Sequence, residues 1–178
     1  MFADWPILSL LIWLPILGGF LTLAAGRDAP VIAWRLGLAV AVATFLASLW
    51  LWIGFERGTP EMQFQEFTSW IAAFNVNYHL GVDGISMPLI LLTTLTTVLV
   101  AIAARDSVKD RLAYYLAAFL IMQGLMIGMF SALDAVLFYV FFEAMLIPMF
   151  IVIGVWGGPR RVYATIKFFL YTFLGSVF

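Results

Sequence analysis

Six apolar stretches, most about twenty residues long and separated by short charged or turn-forming segments, constrain this chain more than any other feature. They run over Trp5–Ala25, Ile32–Phe55, Ile85–Ala104, Leu112–Phe130, Ala135–Trp156, and onward from near Val162. A bilayer core ~30 Å thick takes a helix of ~20 apolar residues. Only 11% of the residues are charged and mean hydropathy is +1.07. Soluble domains carry ~25% charge, so too few charges are present to cover a water-facing surface. The expected fold is an all-α membrane protein: a polytopic transmembrane helix bundle of about six spans, the last incomplete. Residues 1–178 are expected to form a single membrane domain, the N-terminal part of a longer subunit. The first run is not read as a cleaved signal, because its apolar core is too long and no basic segment precedes it.

The basic residues orient the bundle. Arg27, Arg35, Arg105, Lys109, Arg111, Arg160 and Arg161 belong to the loops after runs one, three and five, whereas Arg57 alone belongs to the other side. Cytoplasmic loops carry the excess of Lys and Arg, which places the N-terminus outside. Trp5, Trp34, Trp50, Trp52 and Trp156 mark span ends, as interfacial aromatics do. The external segment 56–83 is the one region with strand character. Phe74, Val76, Tyr78 and Leu80 alternate with Asn75, Asn77 and His79, and Met62–Phe67 alternates more weakly, so a short extended or hairpin cover is expected there. His79 reads as a surface or packing histidine, with an external proton port as the other reading.

The chain has no cysteine and one histidine. That excludes disulfides, iron–sulfur clusters and thiolate metal sites, and leaves no pair of imidazoles for a haem. Energy conversion in this chain would have to use protons, ions or conformation. A net charge of −1 argues against nucleic acid as a partner.

Two charges lie inside the spans. Glu143 is the only charge in LFYVFFEAMLIPMF (137–150), eight residues from Ala135 and thirteen before Trp156. An ionised group at that depth costs ~2.5–3.5 kcal/mol, which makes it a functional candidate for proton uptake and release. A neutral acid bonding two helices together is the structural alternative. Pro148 removes the N–H that would serve the Ala144 carbonyl, and Tyr139, four residues earlier, shares the Glu143 face. Lys167 is six residues into the sixth run, between Tyr163 and Tyr171 at four-residue spacing. It either serves an internal polar path or snorkels back to the headgroups. Counted from the GGPRR loop, the two charges differ in depth by ~9 Å and lean apart, so no direct salt bridge is expected, and a water-linked relay is left open.

Other features read as structural. Gly124 and Gly128 in GLMIG suggest a close-packing face. Asp83, and Ser131 with Asp134, suggest helix N-caps. Thr93–Thr97 can bond back to their own helix or line a cavity.

HLGVDGIS (79–86), FFEAMLIPMFIVIGVWGG (141–158) and ATIKFFLYTFLGS (164–176) resemble the subunit M family of NADH–quinone oxidoreductase (respiratory complex I, mitochondrial subunit 4-like), in the antiporter-like superfamily. The D-type subunit of multi-subunit sodium/proton (Mrp) antiporters carries a related glutamate helix, and a membrane hydrogenase subunit is a related alternative. The resemblance implies inverted repeats, broken helices and a hydrated polar axis, with proton translocation driven by quinone reduction elsewhere. It maps the family's span-five glutamate onto Glu143 and its span-six lysine onto Lys167. It implies no cofactor in this chain, with NADH, flavin, iron–sulfur clusters and quinone held by partner subunits. Lipids and neighbouring antiporter-like membrane subunits are the implied partners, and a bacterial cytoplasmic membrane the implied location. A non-transporting scaffold is the contrasting expectation.

Overall fold

In hydrocarbon every backbone N–H and C=O must be satisfied within the protein, and a helix does this locally. The computed structural model describes residues 5–26 and 29–178. It places α1 at Ile7–Ala25, α2 at Pro30–Gly54, α3 at Ser86–Ser107, α4 at Leu112–Ser131, α5 at Ala135–Trp156 and α6 at Arg161–Val177. Each apolar run becomes one helix, with ends displaced by a few residues. The first five are long and apolar enough to cross a membrane, and the chain is a multi-pass integral membrane protein. Arg27 and Asp4 lie outside the described residues.

Successive helices run in opposite directions, and α4 is the hub, touching α1, α2, α3 and α5. Glycine makes this close approach feasible. A Cβ on Gly124 would collide with the Ile12 carbonyl of α1, and one on Gly128 would lie 2.7 Å from the Phe141 ring of α5. The GLMIG face therefore packs α4 against two helices at once. One apolar cluster joins Leu11, Leu51, Ile90, Ile127 and Phe141 from five helices with Leu80. A second, nearer the opposite end, joins Ala41, Ala101, Ala104, Leu116 and Leu120. Beyond this core α6 touches α5.

Hydroxyls inside the bundle bond backwards along their own helices. Thr93 Oγ1 donates to the Leu89 carbonyl at 2.8 Å and Thr97 Oγ1 to that of Thr93 at 2.9 Å. Thr94 also meets Ser48 of α2 at 2.8 Å, a buried bond between helices. The threonine run is thus packing, as expected. Ser131 is a correction. It ends α4 and its Oγ donates to the Ile127 carbonyl at 2.7 Å, so it caps no helix N-terminus. Asp134 does cap α5, accepting from Val136 and Leu137 N–H at 2.9 and 3.1 Å. Asp83 accepts from the N–H groups of Ile85 and Ser86 at 3.1 and 2.7 Å, just before α3.

The segment between α2 and α3 forms an antiparallel hairpin of β1 (Gln63–Ile71) and β2 (Val76–Val82). The expected alternation begins at Val76. Phe74 falls instead in the 3-10 turn Ala72–Phe74, largely exposed, before Asn75 in the left-handed region at φ 52°. A bulge between Gln63 and Glu66, with Phe64 at φ 53°, resets the β1 register so that Glu66 faces Leu80. That aims the carboxylate at the first turn of α1. It accepts from Leu8 N–H at 2.7 Å, from Ser9 N–H at 3.2 Å and from the Ser9 hydroxyl. Ser9 in turn meets the Tyr78 hydroxyl at 3.0 Å. Free N–H groups and the helix dipole both favour an anion at such a terminus.

The other strand is fixed to the α4–α5 turn. Asp134 accepts from Asn77 N–H at 3.0 Å, and Leu133 N–H donates to the His79 carbonyl at 2.8 Å. His79 packs edge-on against Phe67 with ring centroids 5.3 Å apart and meets Gln65 at 3.2 Å, so it has a packing role. The Asn77 N–H foremost, then that of Leu137, holds the Asp134 carboxyl below its ordinary range, against a smaller opposing effect of burial. Ser86 N–H does the same for Asp83.

Three outcomes follow from this packing. Gly128→Val drives a branched side chain into Phe141 and costs about 1–3 kcal/mol, seen as a lower unfolding temperature in detergent. Glu66→Ala uncaps α1 and costs about 1–2 kcal/mol in the same measurement, with Glu66→Gln milder. Because Asp134 has a lowered folded pKa, its contribution is complete above the ordinary carboxylate value of ~3.9 and is lost as pH falls through the folded value. The protection of the Asn77 and Leu137 N–H groups, measured against a free amide at the same pH, is therefore expected to fall only below the ordinary carboxylate range, and Asp134→Asn to blunt that change.

Candidate functional site at the α5–α6 hairpin

The turn after α5 makes α6 its antiparallel neighbour. Gly157 accommodates the Ile153 carbonyl where a Cβ would collide, and Arg161 Nη1 donates to the Val155 carbonyl at 3.0 Å across the turn. From there the helices stay in register. Gly154 faces Thr165, with the added-Cβ contact at 3.6 Å, and Phe150 meets Phe169 with centroids 5.6 Å apart. Glu143 meets Ser176, whose hydroxyl donates to the carboxylate Oε1. Four residues separate the first two contacts on each helix and seven the next, which is the spacing of one helix face.

Glu143 is half-buried on that face. Eight residues at ~1.5 Å each put it ~12 Å from Ala135, the end of α5 beside the β-hairpin. Its partner Ser176 is the residue that sequence reasoning missed. A signal was present: Glu143 is thirteen residues before the last residue of α5, and Ser176 fifteen after the first of α6. Tyr139 shares the helix face by spacing but is not hydrogen-bonded to Glu143; Ser176 holds that position.

Lys167 lies elsewhere. It is two residues from both Thr165 and Phe169, hence about 200° around the helix from the contact face at ~100° per residue. The side chain is exposed, with Nζ 5.8 Å from the Tyr163 ring centroid. Tyr163 and Tyr171 are 66% and 80% exposed, so the Tyr–Lys–Tyr stripe points away from α5. The structure does not bring Glu143 and Lys167 together. Pro148 sits within α5, buried, one turn beyond Ala144. Among the described residues no group of three His, Asp or Glu side chains could hold a metal ion.

The α1–α4 half and the hairpin up to the start of α5 match a known pattern. The amino-terminal model of NADH-ubiquinone oxidoreductase chain 4 covers residues 10–133. This chain belongs to that family. Residues 132–178 match the transmembrane model of NADH:quinone oxidoreductase/Mrp antiporter proteins, so Glu143 and Lys167 both fall in this second region. Among chain 4 relatives, NADH-quinone oxidoreductase subunit M of Rhodobacter capsulatus is 48% identical over 175 residues, covering 96% of this chain and 34% of the relative. The subunit M of Rickettsia conorii is 40% identical over 178 residues, covering 97% and 36%. The chain thus spans about a third of the length of these curated relatives. A chain in respiratory complex I from Thermus thermophilus with bound NADH superposes with a TM-score of 0.81 at 34% identity, over 95% of this chain and 33% of that one. An archaeal membrane-bound sulfane sulfur reductase gives the same TM-score at 18% identity, a likeness of fold alone.

The register can be tested by cross-linking, since the chain has no cysteine of its own. Gly154→Cys with Thr165→Cys is expected to form a disulfide on mild oxidation of membranes. Glu143→Cys with Lys167→Cys is expected to remain reduced, as read by mobility after thiol labelling.

Proposed function

We propose that this chain supplies part of a proton-translocating membrane subunit of NADH–quinone oxidoreductase, with Glu143 as the group that takes up and releases the proton. The observation that carries this is the placement of Glu143: a carboxylate within a membrane helix, half-buried and hydrogen-bonded to Ser176 of the next helix. A carboxyl so placed has a partner in either charge state, and intramembrane carboxylates belong to proton and ion paths. The names of the relatives favour complex I over the sodium/proton antiporters with which the second family model is shared.

Moving one proton against 100 mV takes ~2.3 kcal/mol, and a chain with no cysteine and one histidine has no redox centre of its own to provide it. The driving reaction is therefore assigned to partner subunits holding NADH, flavin, iron–sulfur clusters and quinone. Neighbouring antiporter-like membrane subunits and lipids are the direct partners. Lys167, on the uncovered side of α6, serves a polar path toward such a partner or toward further helices of a longer subunit, of which residues 1–178 form one membrane domain. In orientation, the hairpin faces the periplasm of a bacterial inner membrane. Among the described basic residues Arg35, Arg105, Lys109, Arg111, Arg160 and Arg161 lie toward the opposite end and Arg57 at the hairpin end, which favours that end outside.

A second reading has an observation in its favour. The Glu143–Ser176 bond also suits a neutral acid that only holds α5 and α6 together. Glu143→Gln separates the two. In the assembled complex it is expected to leave NADH oxidation and subunit assembly near normal and to abolish proton pumping through this subunit. Undiminished pumping would leave the scaffold. For orientation, cysteines replacing Thr59 and Gly158 are expected to react with an impermeant thiol reagent from opposite sides, Thr59→Cys from the periplasm.

A further inference from the structure

Ser176 stands between two acceptors with a single hydrogen to give. Its Oγ is paired with Glu143 Oε1 and is also 2.8 Å from the Phe173 carbonyl of its own helix. A serine hydroxyl has one O–H and two lone pairs. It can donate to the carboxylate or to the carbonyl, but not fully to both. Ionised Glu143 can only accept, so the Ser176 hydrogen must then point to Glu143. Protonated Glu143 has an O–H of its own. It can donate to the Ser176 lone pair while the serine hydrogen turns back to Phe173. The two arrangements use the same heavy atoms and differ by rotation of one hydroxyl about its Cβ–Oγ bond.

We propose that Ser176 is a positioning residue for the proton-transfer step, a hydroxyl whose orientation follows the charge state of Glu143. This deepens the reading of Glu143 as the titrating group and rests on it. Among the described residues, Ser176 is the polar side chain that meets the Glu143 carboxyl. On α5, Tyr139 is the nearest other ionisable side chain. On α6, Tyr171 and Lys167 are exposed, away from the carboxyl. On α4, packed against α5, no ionisable residue occurs between Tyr115 and Asp134, and Gly128 meets Phe141 there. A serine able to reverse its role lets Glu143 change charge without separating α5 from α6.

The test uses the complete complex in proteoliposomes, with infrared difference spectra recorded during turnover and pumping measured in parallel. Glu143→Gln identifies the carboxylic C=O band of Glu143 by removing it. Ser176→Ala is expected to shift that band to higher wavenumber, because the acid loses its acceptor, and to slow pumping relative to NADH oxidation. Ser176→Thr, which keeps the hydroxyl, is expected to restore both. Should Ser176→Ala fail to assemble, Ser176→Cys, a much weaker partner, is expected to show the same shift. A Glu143 band that stays in place in Ser176→Ala or Ser176→Cys overturns the role of Ser176 while leaving Glu143 as the proton carrier. If Glu143→Gln removes no band and leaves pumping intact, the reading of Glu143 falls, and the role of Ser176 with it.

Discussion

Hydrocarbon offers no hydrogen bonds, and most features of this chain answer that single constraint. The backbone is satisfied by helices. The buried hydroxyls of Thr22, Thr44 and Thr97 are satisfied by carbonyls one turn back in their own helices. Ser48 and Thr94 satisfy each other between α2 and α3. Glu143 follows the same rule with a different result. Its partner is on another helix, so a change in its charge bears on how two helices meet. The neutral Ser48–Thr94 pair only ties two helices together, whereas Glu143 has a carboxyl that can ionise.

The helices were legible because five apolar runs match bilayer thickness and a sixth begins the same way, and the α5–α6 turn because glycines and a proline do not continue a helix. The hairpin was legible in part. Val76, Tyr78 and Leu80 share a face, but Met62–Phe67 alternates weakly because the bundle-facing position beyond the bulge is a carboxylate, Glu66, rather than an apolar side chain. The bulge itself leaves no periodic trace. Ser131 was misread because serine near a helix boundary suits an N-cap or a back-bond equally, and only the length of α4 decides. At the site, Glu143 stood out for its cost and Lys167 for its depth. Their relation did not stand out, because it depends on angular position about α6, which the register with α5 fixes and depth alone does not.

The bundle divides into two regimes. Around α4, glycine contacts and two apolar clusters fix α1–α4 tightly. Further along, α5 packs against α4 and carries α6 on its other side.

The ties of the hairpin also order biosynthesis. β2 receives its last bonds from Leu133 and Asp134, about fifty residues further along the chain. At ~5–20 residues per second, that is roughly 3–10 s of translation. For that interval the loop has no α4–α5 turn to grip. Its closure therefore waits on delivery of the turn that follows α4, and the ribosome, through the order in which it emits these segments, sets when the cover over the bundle can lock.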